Sequence, residues 1–155
     1  KIVGKYPQII WLLLFKIENE TVLPVYYREN KENLDCIIYI GKAEGRNGLL
    51  QRIKQELLGK GHGTFFRSIG TILEIPVMGK SIGRRICNFK FINNKLIIEW
   101  IKKNILINDV FCPILKIKCN NVIISIEQKL IKKHASLCNY NPAPSKVLHD
   151  NRRKI

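Results

Sequence analysis

In this 155-residue sequence, tyrosine, lysine, arginine and glutamate occur in an order that could act on a phosphodiester. Tyr39-Ile40-Gly41-Lys42 closes an apolar run and opens a glycine-rich turn, and Arg52 follows on a helical pattern. A phenol can position or deprotonate water, Lys42 can hold a phenolate or a phosphate, and a guanidinium matches a pair of phosphate oxygens. Glu127 supplies a metal ligand, because a hard divalent cation such as Mg²⁺ or Mn²⁺ takes carboxylate oxygen and keeps several waters. Each residue also has a plain structural reading. Ile-Tyr-Ile-Gly is an ordinary way to end a strand. Arg52 could pair with Glu56 on a helix surface for about 0.3–0.5 kcal/mol. Glu127 would be a favourable anion in the first turns of a helix. Only the joint order carries weight.

The elements that would position these residues follow from periodicity and punctuation. Val25-Tyr26-Tyr27 and Cys36 to Ile40 are β-branched and aromatic runs separated by a charged stretch, which predicts a β-hairpin with Tyr26 and Tyr39 on one face. After the glycine-rich turn, Leu49, Leu50, Ile53, Leu57 and Leu58 recur at helical spacing, and Thr64 could cap a second helix carrying Phe65, Phe66, Ile69 and Leu73. Further on, Leu96 to Ile101 predicts a helix, Phe111 to Ile117 a strand and Ile123 to Ser136 an amphipathic helix. No repeat or long linker divides the chain. The expectation is one α/β domain over residues 1–155, with a core at about 21–139, an insertion at about 74–94 that holds a strand candidate at Cys87 to Ile92, and a basic C-terminal arm at 140–155.

Charge names the class of partner. The sequence has 27 Lys and Arg against 12 Asp and Glu, a formal charge of +15, which favours a polyanion and salt-dependent binding. The five cysteines include no pair at zinc-binding spacing and read as free thiols of a reducing compartment. The apolar run Ile9 to Phe15 is too short to cross a bilayer and is followed by Lys16-Ile17-Glu18 rather than a cleavage site, so the expected location is cytoplasmic, nucleoid-associated at most, with no membrane partner.

Taken together, these motifs resemble the GIY-YIG endonuclease family. Val25-Tyr26 resembles the first motif, although Pro24 stands where glycine is usual and leaves Tyr26 or Tyr27 as the motif tyrosine. Tyr39-Ile40-Gly41 matches the second motif, with twelve residues between Tyr26 and Tyr39. Leu49-Leu50-Gln51-Arg52-Ile53 resembles the arginine helix, and Asn139 stands twelve positions after Glu127, as in the family's glutamate helix and terminal asparagine. Thr64 to Gly70, Glu99-Trp100 and Asn139 to Pro142 resemble small stand-alone bacterial members, and the likeness covers roughly residues 21 to 155.

The resemblance implies a small central antiparallel three-stranded sheet flanked by helices and metal-dependent hydrolysis of DNA. It implies that Glu127 binds the single metal ion, Arg52 stabilises charge on the phosphate, Tyr26 acts on the water, Tyr39 and Lys42 support it, and Asn139 orients the site. Gly41, Lys60, His62 and Arg67 are candidate DNA contacts. Glu56 departs from the family's histidine or tyrosine at its position; it could repel DNA, neutralise Arg52 or join the metal shell, and His62 could substitute for it. The rival reading is a catalytically weak nucleic-acid-binding module. Sequence-specific cleavage of both strands would call for a homodimer.

Overall fold

The apolar run near the start of the chain becomes the middle strand of the sheet. The structure, a computed structural model, describes residues 9–29, 36–44, 48–60, 63–80, 89–113, 120–139, 148, 150 and 151. In chain order its elements are β1 (Ile9–Ile17), a 3-10 turn (Glu20–Val22), α1 (Val25–Glu29), β2 (Ile37–Glu44), α2 (Gly48–Leu58), α3 (Thr64–Ile72), β3 (Val77–Lys80), β4 (Phe89–Phe91), α4 (Asn94–Asn104), β5 (Ile105–Pro113) and α5 (Asn120–His134). The main sheet is antiparallel, three-stranded and ordered β2-β1-β5, and β3 pairs with β4 in a separate two-stranded sheet.

β1 reads as a continuous apolar run because it is hydrogen-bonded on both edges and buries Leu12, Leu13, Phe15 and Ile17. One side of the sheet packs, through Leu13, Phe15 and Tyr39, on Phe65, Phe66 and Ile69 of α3 and Ile97 and Ile101 of α4. On the other side Ile37 and Ile40 pack on Ile131 of α5. Helices therefore flank the sheet as expected.

Two expectations about strands need correction. Val25-Tyr26-Tyr27 is not a strand, so Tyr26 and Tyr39 do not share a hairpin. Pro24 decides this locally: it stands just before α1, where its missing N–H costs little, and its carbonyl accepts the N–H groups of Tyr27 and Arg28. The strand paired with Tyr39 is β1, which contains no tyrosine: Phe15 stands opposite Tyr39 and Leu13 opposite Gly41. The third strand begins at Ile105, earlier than Phe111, because α4 passes directly into it at Asn104; residues 114–117 lie outside the described residues. The expected insertion holds the β3–β4 pair, and its basic stretch at 81–85 lies outside the described residues.

A register shift in the β1–β2 ladder falls beside Tyr39. Phe15 faces Tyr39 while Lys16 faces Ile37, leaving Ile38 as an extra residue. This bulge lets Ile38 and Tyr39 both enter the larger core, while Ile37 and Ile40 turn to α5.

α3 ends with a cap that lacks its usual residue. Ile75 N–H donates to the Gly70 carbonyl at 3.0 Å and Glu74 N–H to the Thr71 carbonyl at 3.1 Å, with Glu74 at φ 55°. Glycine adopts that left-handed conformation without a Cβ penalty. Glu74→Gly is expected to stabilise the fold by roughly 0.5 kcal/mol, the strain relieved outweighing the extra chain entropy; urea denaturation reads this as a higher midpoint at unchanged slope.

Candidate active site

Tyr39 lies in the strand β2, and Gly41 gives its ring room. A Cβ added at Gly41 would stand 2.8 Å from the Tyr39 hydroxyl oxygen, so the ring lies across the space a side chain would fill. The ring is buried against Phe15 and Phe65 at centroid distances of 5.1 and 5.4 Å. Its hydroxyl sits in a closed set of bonds. Arg52 Nη2 donates to it at 2.8 Å, and it donates to Glu56 Oε1 at 2.7 Å. Arg52 Nη2 also reaches Glu56 Oε1 at 2.8 Å.

Glu56 is not the surface partner that its spacing from Arg52 suggests. It is fully buried, and its second oxygen accepts the Phe65 N–H at 2.7 Å. That bond satisfies a donor in the first turn of α3, where the preceding Gly63 offers no side-chain cap. The close approach of α2 and α3 that makes it possible requires Gly63: a Cβ there would fall 2.0 Å from the Gln55 carbonyl oxygen.

Electrostatics follow from this burial. Burial, and then the neighbouring Glu56 carboxylate, hold the Tyr39 phenol well above its ordinary pKa, with Arg52 opposing them. Tyr39 is therefore a neutral hydrogen-bonding group. For Arg52, burial works against the charge, but Tyr39, Glu56 and Glu127 outweigh it and keep the pKa raised. Arg52 Nε is buried and has no hydrogen-bond partner among the described residues.

Glu127 approaches from α5 on the other side of β2. Its carboxylate accepts the backbone N–H of Lys42, and burial raises its pKa while Lys42 and Arg52 pull the value down and Glu44 adds to the rise. The Lys42 ammonium forms an ion pair with Glu44. Glu127 and Arg52, far apart in sequence, thus feel each other at the Lys42 end of β2. Among the described residues there is no cluster of three His, Cys, Asp or Glu side chains. A cation here would be held by Glu127 with water completing its shell, a fit for Mg²⁺ or Mn²⁺ rather than for zinc.

Asn139 ties α5 to this strand. Its buried side chain accepts the Ile40 N–H at 2.9 Å and donates to the Ile40 carbonyl at 2.7 Å, and Ser136 Oγ donates to its Oδ1 at 2.6 Å. Cys138 N–H adds a bond to the Ile38 carbonyl at 2.7 Å. The segment after α5 thereby lies against the outer edge of β2.

The remaining candidates scatter. Tyr26 is 53% exposed on α1, edge-on to Tyr27. Lys60 is exposed just after α2, and Arg67 is half-buried on α3. His62 lies outside the described residues.

The family model of the GIY-YIG catalytic domain matches residues 9–155. The chain belongs to the GIY-YIG family. The match begins at β1, earlier than the resemblance read from the motifs, and so includes the strand that pairs with Tyr39. GIY-YIG domains are nuclease domains, their substrates are nucleic acids, and the family's nucleases generally use divalent metals. No curated protein and no solved structure matches the chain. Among the described residues, no helix is long and apolar enough to cross a membrane.

Glu56 is the functional candidate whose place the sequence reading left open. Its signal was present: Leu49, Ile53 and Glu56 fall at i, i+4 and i+7, so the carboxylate belongs to the buried face of α2.

Proposed function

We propose that this GIY-YIG domain is a metal-dependent DNA endonuclease whose site is Tyr39, Lys42, Arg52 and Glu127, positioned by Asn139. The observation that supports it most is the meeting, at one end of β2, of the Arg52 guanidinium and the partly buried Glu127 carboxylate on the family's fold. A divalent cation bound at Glu127 would lower the pKa of water and offset phosphate charge. Arg52, held through Nη2 with its side chain 28% exposed, offers its guanidinium to a non-bridging phosphate oxygen, where a charge-assisted hydrogen bond gains most as charge develops. Lys42 contributes a second positive charge beside it. Tyr39, kept neutral, holds Arg52 in place. Asn139 keeps α5, and with it Glu127, in register with β2. Tyr26 has no part in this scheme, since the hairpin that motivated its role is absent.

The +15 charge supports binding to the DNA backbone, and we take the whole chain to act as one cytoplasmic nuclease unit. Supercoiled plasmid incubated with the protein and Mg²⁺ or Mn²⁺ is expected to become nicked circles. DNA binding without any cleavage across both metals would instead favour the binding-module reading.

A further inference from the structure

Glu56 has more to do than cap a helix. A carboxylate withdrawn wholly from water loses several kcal/mol of solvation unless donors surround it, and an apolar residue would fill the same space more cheaply. Here three donors converge on it. Oε1 takes the Tyr39 hydroxyl at 2.7 Å and Arg52 Nη2 at 2.8 Å, and Oε2 takes the Phe65 N–H at 2.7 Å. With Arg52 Nη2 also on the Tyr39 oxygen at 2.8 Å, the three side chains close a ring. Both Glu56 oxygens are thereby occupied by donors of the fold, which does not suit Glu56 as a metal ligand.

Resting on the nuclease reading above, we propose that Glu56 is a positioning residue for phosphodiester cleavage: it fixes the Arg52 guanidinium through Nη2 so that the solvent-exposed part of the side chain is presented to the scissile phosphate. Glu56 touches no substrate atom in this scheme and acts through Arg52. The ring also sets the charge at the site. Glu56 cancels the formal charge of Arg52, so the guanidinium serves by the direction of its N–H groups more than by net attraction.

Two effects that a purely structural residue would move together then move apart. Glu56→Gln keeps the shape but removes the negative charge and turns an acceptor into a donor facing Tyr39, Arg52 or Phe65. The Arg52 fork loses its fixed direction, while the site becomes more positive. Expected is a fall in kcat of about 10- to 100-fold, the scale of a misplaced catalytic group, with KM and the Kd for a DNA duplex unchanged or lower. In an Arg52→Lys background, which retains the charge but lacks the fork, Glu56→Gln is expected to cost less than about 3-fold, because residues acting as a unit are non-additive. Circular dichroism and thermal melts give the folded fraction, to which each kcat is normalised; if Glu56→Gln is largely unfolded at 25 °C, the same readings are taken at 10 °C.

The proposal is overturned if normalised kcat for Glu56→Gln stays within about 2-fold of wild type, if the loss is the same in both backgrounds, or if DNA affinity weakens in parallel with rate. Wild-type protein that cleaves nothing with Mg²⁺ or Mn²⁺ overturns the nuclease reading and this proposal with it. Wild-type cleavage that survives Glu56→Gln overturns this proposal alone.

Discussion

Glu127→Gln is expected to reduce cleavage by at least about 100-fold while leaving the protein as stable as wild type or more so. The amide is nearly isosteric, so packing on α5 changes little, but it is a poor ligand for a hard cation. The stability half of the expectation comes from the direction of the pKa shift. Burial raises the Glu127 pKa in the folded protein despite Lys42 and Arg52. A raised folded-state pKa means that the stability associated with the protonated form is present at low pH and is lost as pH rises through the folded pKa. At neutral pH Glu127 is therefore a cost to the fold, and the neutral glutamine removes it. Thermal melts at pH 7 and initial nicking rates check the two halves. In the metal-free protein the same shift predicts that any stability difference between wild type and Glu127→Gln shrinks on acidification, as the carboxylate is protonated.

Arg52→Ala is expected to lose activity on a similar scale, about 10²- to 10³-fold for removal of one oriented donor, yet with the opposite effect on stability. Arg52 neutralises Glu56, which is fully buried, and also donates to Tyr39. Without it the carboxylate keeps the Tyr39 hydroxyl and the Phe65 N–H but loses its counter-charge. Removing one partner of a buried pair costs about 3–5 kcal/mol, and the two remaining donors place this case at the lower end. Urea denaturation would show the loss, and rates normalised to folded protein would separate it from the catalytic effect. Two substitutions that both silence the site are thus distinguished by their melts.

The parts legible in the sequence were those fixed by local pattern. Helices α2, α3, α4 and α5 follow from apolar spacing, and β2 from its β-branched run, because each needs only its own residues to declare a buried face. β1 was hidden for a physical reason. A strand covered on both faces shows no alternation, so Ile9 to Phe15 could be excluded as a membrane span but not recognised as the partner of Tyr39. Val25-Tyr26-Tyr27 shows the converse: β-propensity is weak, and Pro24, with a carbonyl free to accept two N–H groups, turned the segment into a helix.

The site divides in the same way. Tyr39, Gly41, Arg52 and Glu127 were singled out by type and spacing, and Arg52 is hydrogen-bonded to Tyr39 and within electrostatic reach of Glu127 near the Lys42 end of β2. What spacing could not express is the third dimension of the cluster. Glu56 and Arg52 stand one turn apart, which on a surface would be worth little; burial makes the pair consequential. Asn139 likewise gains its meaning only from a strand 99 positions away in sequence.

We propose that cleavage is metal-dependent and belongs to this site. This is tested most directly by nicking of supercoiled plasmid with wild-type protein in Mg²⁺, in EDTA, and with Glu127→Gln purified in the same way. Nicked circles are expected in the first case and intact plasmid in the other two, although Glu127→Gln still binds the DNA. Equal nicking by wild type and Glu127→Gln, or cleavage undiminished in EDTA, would contradict it.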